Sequence, residues 1–359
     1  MMTRLIAGLL LIIPAIAWAQ IPLWIKDNNT AELDCTVNAY GIFTKKSTSD
    51  FLLQDLRLGI EGSQGVFVDY KLQFDFANLL YRPKINPLLD AKINIDLPNQ
   101  FNIIAGYQSL EFSLNSIIGF RHSPFFQRTT LADGNLFARR DMGLTLLKKA
   151  FKDRFNGSLG VYGGSGRVNP FHEDAGVTVV ARTAVSFPTS VKNEEIDIRH
   201  SPFPRVSLGA NALYSNQHTD SLRFGLPFLV NGQKWVSGID VTFYYQGLSL
   251  LGEWNYAQIT PSENTTGYKS PYHVTGGYCS GNYYLRPIRT TLALRYEGYK
   301  VNQPGVDVVK ASRVAVDYFL DKSQRRVIRL DYCFQSTYKE ENLQSGLGKG
   351  VRLGLQLGL

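Results

Sequence analysis

From residue 35 onward the chain alternates apolar and polar side chains, segment after segment. Val66, Val68, Tyr70, Leu72, Phe74 and Phe76 are apolar, with Asp69, Lys71, Gln73 and Asp75 between them. Leu89, Ala91, Ile93, Ile95 and Leu97 repeat the pattern around Asp90, Lys92, Asn94 and Asp96. At the C-terminus Val351, Leu353, Leu355, Leu357 and Leu359 alternate with Arg352, Gly354, Gln356 and Gly358. A period of two marks a strand with one apolar and one polar face. No comparable run follows the helical period of 3.6. About sixteen such segments are predicted, near 35–44, 53–61, 65–76, 89–97, 101–109, 140–147, 155–163, 176–187, 205–215, 236–245, 247–258, 274–285, 290–300, 312–320, 326–335 and 350–359. Most are close to the length a tilted transmembrane strand needs, roughly 9–11 residues.

The connections sort by parity. Gly62-Ser63-Gln64, Pro98-Asn99-Gln100, Gln246 beside Gly247 and Asp321 to Arg325 are short. The alternate connections, 77–88, 110–139, 164–175, 216–235, 259–273, 301–311 and 336–349, are long. Short periplasmic turns alternating with long extracellular loops describe an outer-membrane β-barrel. The connection 188–204, with Pro188, Pro202 and Pro204, is long where a short turn is expected. Aromatic residues Tyr244, Tyr245, Trp254, Tyr256, Tyr283, Tyr284, Tyr296, Tyr318, Tyr332 and Phe334 are read on the apolar faces. They suit interfacial girdles or ordinary strand propensity equally.

Composition fits an all-β membrane protein better than a soluble enzyme. Of 359 residues 19% are charged, and Gly, Tyr and Phe are abundant at 32, 19 and 21. After residue 20 no apolar run reaches the 18 or more residues of a spanning helix. Arg4, the apolar run Leu5 to Ile16 and Ala17-Trp18-Ala19 form an export leader with a cleavage site before Gln20. The expected organisation is therefore a signal peptide over 1–19 and a single barrel over 20–359. Cys35, Cys279 and Cys333 are too few for a disulfide framework, although a Cys279–Cys333 bridge stays open.

The chain resembles the phosphate-selective porin O and P family of Gram-negative outer membranes. The likeness begins at Ile104-Ala105-Gly106-Tyr107-Gln108, with Phe112-Ser113-Leu114 and Phe126-Gln127-Arg128 following. It continues through Arg139-Arg140-Asp141-Met142-Gly143, Val161 to Gly166, Val180-Ala181-Arg182 and Trp235 to Asp240. Gly247-Leu248-Ser249, Gly252-Glu253-Trp254, Gly276-Gly277-Tyr278 and Arg295-Tyr296-Glu297 complete it. The resemblance implies a sixteen-stranded antiparallel barrel, a homotrimer, and a third extracellular loop folded into the lumen. The chain departs from barrel habit in ending on Leu359 rather than Phe or Tyr.

A barrel of this size leaves an aqueous channel, and parity then places Arg57, Lys71, Lys92, Arg182, Arg295, Arg313, Arg329 and Arg352 on its inner wall. A cation on the lipid face at mid-depth would cost roughly 2–4 kcal/mol. The same parity puts Asp55, Glu61, Asp69, Asp75, Asp90, Asp96, Asp240, Glu253, Glu297, Asp317 and Asp331 inside, so the wall is not a positive surface. Any positive constriction then falls to the loop at about 110–139. Between Phe112 and Ala132 its basic residues are Arg121, His122 and Arg128, with no carboxylate. The two arginines could focus a positive potential on a passing anion or latch the loop to wall carboxylates.

The expected function is passive diffusion of small hydrophilic solutes, including anions such as phosphate, across an outer membrane whose lipid surrounds the barrel. The alternative is an exported all-β binding or structural protein without channel activity. The five histidines, His122, His172, His200, His218 and His273, fall in or near connections with no Ser–His arrangement, so no enzyme is expected. No metal-ligand spacing, cofactor motif or basic run suited to nucleic acid appears.

Overall fold

A computed structural model describes residues 21–26, 29–43, 50–77, 86–119, 122–131, 136–163, 166, 176–217, 221–223, 226–229, 231–263, 269–303, 308–321, 325–336 and 349–358. The expected leader over 1–19 lies outside them. Strand β1 (Ile21–Lys26) is a short N-terminal ribbon, followed by β2 (Asn29–Phe43), β3 (Asp50–Gln64), β4 (Val68–Asp75), β5 (Leu88–Leu97) and β6 (Phe101–Ser109). Next come β7 (Arg140–Ala150), β8 (Phe155–Tyr162), β9 (Gly176–Phe187) and β10 (Arg205–Gln217). Strands β11 (Ser221–Arg223) and β12 (Leu226–Leu229) form a separate two-stranded hairpin. The series ends with β13 (Gly232–Tyr245), β14 (Leu248–Pro261), β15 (Tyr272–Leu285), β16 (Thr290–Val301), β17 (Val309–Phe319), β18 (Arg326–Ser336) and β19 (Gly350–Gly358).

Every neighbour in the sheet is antiparallel, and the ring closes where β19 pairs with β2 from Val351↔Phe43 to Gly358↔Thr36. Leaving aside β1 and the β11–β12 hairpin, sixteen strands make the barrel, each over one of the segments read from the sequence. β1 lies along the lower part of β2, from Ile21↔Leu33 to Lys26↔Asn29, beyond the point where β19 stops. Among the described residues, closure leaves no unpaired edge of the barrel sheet in the bilayer, where an unsatisfied peptide group costs several kcal/mol.

Burial is inverted relative to a soluble protein. Leu144, Ile239, Leu294 and Leu353 are exposed on the outer surface, whereas Arg313, Asp317 and Arg352 are fully buried. Lipid, not a packed core, receives the apolar face. Outward aromatic residues fall toward two rims. Phe67, Phe151, Phe187, Tyr245, Tyr283 and Tyr318 lie by the short turns, while Trp235, Tyr256, Tyr332 and Phe334 lie toward the long loops. Tyr244 and Tyr284 depart from the sequence reading, because each faces inward and is buried. In a Tyr-Tyr pair, alternation sends one ring out and the other in.

Cys279 is exposed and Cys333 buried, and no disulfide joins them, so the Cys279–Cys333 bridge is not formed. Gly106 shows how tightly the wall is drawn. Its φ is +121°, and a Cβ there would stand 2.2 Å from the Ala91 carbonyl oxygen on β5. Gly106→Val is therefore expected to abolish most of the heat-modifiable folded band on a gel. Gly65→Ala, in an open turn at φ +65°, costs about 1 kcal/mol and should keep that band. Equal folding of the two variants would contradict this reading.

Candidate functional site

The inner wall is charged, but its deepest charges are engaged with the segment between β6 and β7. Within it the single helical turn α1 (Leu114–Ile117) is capped by Ser113, which accepts from the Ser116 amide. Peptide groups inside a barrel have no ladder to join, so each needs a side-chain partner or water. The wall provides them by sign. Glu253 on β14 accepts from Ser113 Oγ at 2.9 Å and from the Asn115 amide at 3.2 Å. Asp331 on β18 accepts from the Phe126 amide at 3.2 Å, and Glu297 on β16 from the Thr130 amide at 2.6 Å. Conversely, Arg182 donates to the Phe112 carbonyl at 3.0 Å, Arg295 to that of Gln127 at 2.7 Å and Arg329 to that of Phe125 at 3.4 Å.

Apolar packing completes the attachment. Phe125 nests between Ala293 and Ala315 with the Arg295 guanidinium 4.3 Å from its ring centre. The Phe126 ring centre lies 4.7 Å from that of Tyr40 on β2, and Arg329 also stands over Phe126. Toward the long-loop rim, Leu110, Phe112, Leu131, Leu136 and Phe137 pack on inward residues that include Val180, Leu213, Val236, Ile259, Val274 and Val301. There the inner face is apolar because it meets the loop instead of water. Burying each such side chain contributes roughly 1.5–3 kcal/mol.

Carboxylates also hold the wall arginines. Arg182 pairs bidentately with Asp240 at 2.6 and 2.9 Å, and Arg329 with Asp317 at 2.8 Å twice. Arg295 stands directly across from Arg313, a like-charge pairing that is unfavourable by itself. Glu297, 3.8 Å from both guanidinium groups, and Asp331, 3.7 Å from Arg313, offset it. Arg352 is fully buried beside them, opposite Asp331 in the strand register. Two and three strands beyond β19, Arg57 on β3 bonds Asp55 at 2.6 Å, while Lys71 on β4 bonds Glu61 at 2.7 Å and lies 3.9 Å from Asp34. Lys92 is half-buried on β5 and helps line a second chamber with Lys71, Glu61 and Asp69, about 440 Å³ in volume.

The candidate constriction residues separate. Arg128 is buried and turns back to the Asn115 carbonyl within its own loop. His122 is half-buried and lines a chamber of about 480 Å³ together with Lys149, Lys192, Arg182, Glu194 and Asp240. Arg121 lies outside the described residues.

The sequence reading missed a second inward segment. The unexpectedly long turn 188–204 enters the barrel from the short-turn side and meets the loop at Glu195, which is 1% exposed. The Glu195 carboxylate accepts from Asn115 Nδ2 at 2.8 Å and Ser123 Oγ at 3.1 Å. Its amide donates to the His122 carbonyl at 3.1 Å, and its own carbonyl accepts from Ser249 Oγ and Asn282 Nδ2, both at 2.7 Å. Asp197 ties the same turn to the Gly247 amide at 3.0 Å and, within the turn, accepts from the Ser201 amide at 2.9 Å. The available signal was the length of 188–204, which broke the alternation of short and long connections.

A closed antiparallel ring with an apolar exterior and a charged interior entered by a long loop is the build of an outer-membrane porin. The family model of phosphate-selective porin O and P matches residues 32–358, and the chain belongs to that family. It is thus an outer-membrane channel for small solutes. Solved porins share the fold. One is a loop L8 deletion mutant of OmpT, an outer membrane protein of Vibrio cholerae, at 14% identity and TM-score 0.62, covering 93% of this chain and 100% of that one. A Salmonella typhi OmpF complex with daunomycin gives 13% identity and TM-score 0.64, covering 94% and 100%. An anion-selective porin from Comamonas acidovorans gives 12% identity and TM-score 0.56, covering 92% and 100%. No curated protein sequence matches the chain.

Burial raises the pKa of Glu195, against the lowering influence of Arg295 and Ser123. The latched state then binds a proton more readily than the released state, so the latch strengthens as pH falls through the raised pKa and weakens above it. Gating noise of the wild-type channel is expected to decrease on acidification, and Glu195→Gln should remove that pH dependence. Glu195→Ala should raise noise and mean conductance at neutral pH. An alanine variant indistinguishable from wild type in single-channel records would contradict the latch.

Proposed function

We propose that the protein is a general diffusion pore for small hydrophilic solutes with a modest preference for anions such as phosphate. Residues 1–19 act as a cleaved export leader, residues 20–359 as one barrel in the outer membrane of a Gram-negative bacterium, and three copies form the working trimer. The observation that carries the reading is the division of labour among inner charges. The deep carboxylates Glu253, Glu297 and Asp331 accept from the loop backbone, while Lys149 and Lys192 remain exposed on the chamber that also holds His122. A passing anion therefore meets cations whose charge is not already fixed by a bidentate partner, in a chamber at the short-turn end of the barrel whose low-dielectric walls focus their field. Glu111, Asp153 and Glu194 line the same chamber, with Asp240 engaged by Arg182, which limits the preference. Arg128 is assigned to holding the loop, and Arg121 is kept as the loop's second arginine candidate at the constriction.

Reversal potentials across planar bilayers in a salt gradient test this. Wild type is expected to favour chloride over potassium about twofold to threefold, and Lys149→Glu with Lys192→Glu should bring the ratio to about one or below. Arg128→Ala should change gating noise but not ion preference. Strong cation selectivity in wild type would overturn the anion preference, and no conductance from folded trimers would overturn the pore.

A further inference from the structure

The second half of the turn 188–204 lies along the short-turn mouth. The Gln246 amide donates to the Ser201 carbonyl at 2.9 Å, and His200 Nε2 lies 3.1 Å from the Tyr284 carbonyl oxygen. Ile196 and Ile198 pack with Tyr284, Phe319 and Val327. The turn thus reaches from β10 to the short-turn ends of β15, β17 and β18. From it stands Pro202-Phe203-Pro204, all three exposed. Ser201 is tied on one side, β10 starts on the other, and each proline fixes its own φ. Phe203 is 40% exposed, with the Arg205 guanidinium 5.2 Å from its ring centre. Arg205 pairs in register with Tyr244, which faces inward. Phe203 therefore projects from the lumen side of the rim, apart from the lipid-facing rings of Phe187 and Tyr245. An aromatic ring held rigid in water beside an arginine has the make-up of an interface anchor, and its rigidity lowers the ordering cost of binding.

The charge around this ring has one sign. Lys152 and Arg154 on the β7–β8 turn, Lys192 and Arg199 on 188–204, and Arg286 and Arg289 on the β15–β16 turn are all exposed. Among the described residues of these turns the one exposed carboxylate is Asp153. Glu194 lies 3.8 Å from Arg199 and is half-buried, while Glu195 and Asp197 are buried in the latch. The short turns 65–67, 98–100 and 246–247 carry no charge at all. A cationic cluster within a Debye length of about 8 Å speeds the approach of an acidic surface and fixes its register. A lipid headgroup would reach turn cations from the bilayer side and leave Phe203 in water, whereas a protein surface can engage both.

We infer that this face docks an acidic periplasmic protein, which receives Phe203 in an apolar pocket and sets its carboxylates against the surrounding cations. The assignment rests on the outer-membrane reading, which puts the short turns in the periplasm, and does not depend on what the pore conducts. Benzoyl-phenylalanine at position 203 of the full chain, irradiated in intact cells, tests it, with position 187 as the lipid-facing control. Position 203 is expected to give a protein adduct whose partner, identified by mass spectrometry, carries net negative charge, and position 187 none. That partner, purified, should bind the detergent-solubilised barrel at least tenfold more weakly in 300 mM than in 50 mM salt. Phe203→Ser, and separately Arg199→Glu with Arg286→Glu, should each weaken binding at least tenfold while heat-modifiable migration is kept. A lipid adduct, no adduct, an adduct to a second copy of this chain, or a partner without net negative charge overturns the docking face. Binding that neither variant weakens overturns it as well. Recovery of the chain in the outer-membrane fraction, with conductance intact, separates failure of this inference from failure of the outer-membrane reading.

Discussion

A polypeptide segment placed inside a barrel has no neighbouring strand to satisfy its peptide groups, and the rest of the lumen is arranged around that demand. Arginines on β9, β16 and β18 donate to loop carbonyls at Phe112, Gln127 and Phe125. Carboxylates on β14, β16 and β18 accept from loop amides at Asn115, Thr130 and Phe126. Charges facing inward thus do structural service before any solute arrives. Removing one partner of a buried charged pair costs about 3–5 kcal/mol, because the other is left uncompensated. The interlock with the turn around Glu195 extends the same logic to the periplasmic side, where a carboxylate closes the network from below.

This arrangement changes what wall charge means for selectivity. Eight basic and eleven acidic residues read on the inner wall say little about its field until their partners are considered. Arg182 and Arg329 are each locked bidentately to an aspartate, so their field is largely cancelled at close range. Exposed lysines in the chamber contribute more per residue to a passing ion than the buried guanidinium groups do. The apolar packing of Phe112, Leu131 and Phe137 against Val236, Ile259 and Val301 also removes part of the lumen cross-section from water.

The barrel itself was legible because lipid imposes one uniform outer solvent, and strict alternation records it on every strand. All sixteen segments correspond to barrel strands for that reason. The inner face was less legible, since two environments share it. Ile259 and Val274 are apolar inward residues with nothing in local sequence to say that a distant loop covers them. Arg128 was recognisable as a loop cation, but whether it faced the pore or its own backbone depended on a contact with Asn115 thirteen residues away. Glu195 sat in a connection whose length was visibly anomalous, yet its partners Asn115 and Ser123 belong to another loop. Tyr244 and Tyr284 were drawn to the outer face with their tyrosine neighbours, although alternation alone separates each pair.

The central claim is that inward carboxylates hold the loop backbone. Hydrogen exchange at the Phe126 and Thr130 amides tests it most directly, in wild type and in Asp331→Asn with Glu297→Gln. Protection comparable to strand amides in wild type, falling at least tenfold in the double variant while the barrel strands stay protected, is the expected result. Rapid exchange at both amides in the wild-type protein would contradict it.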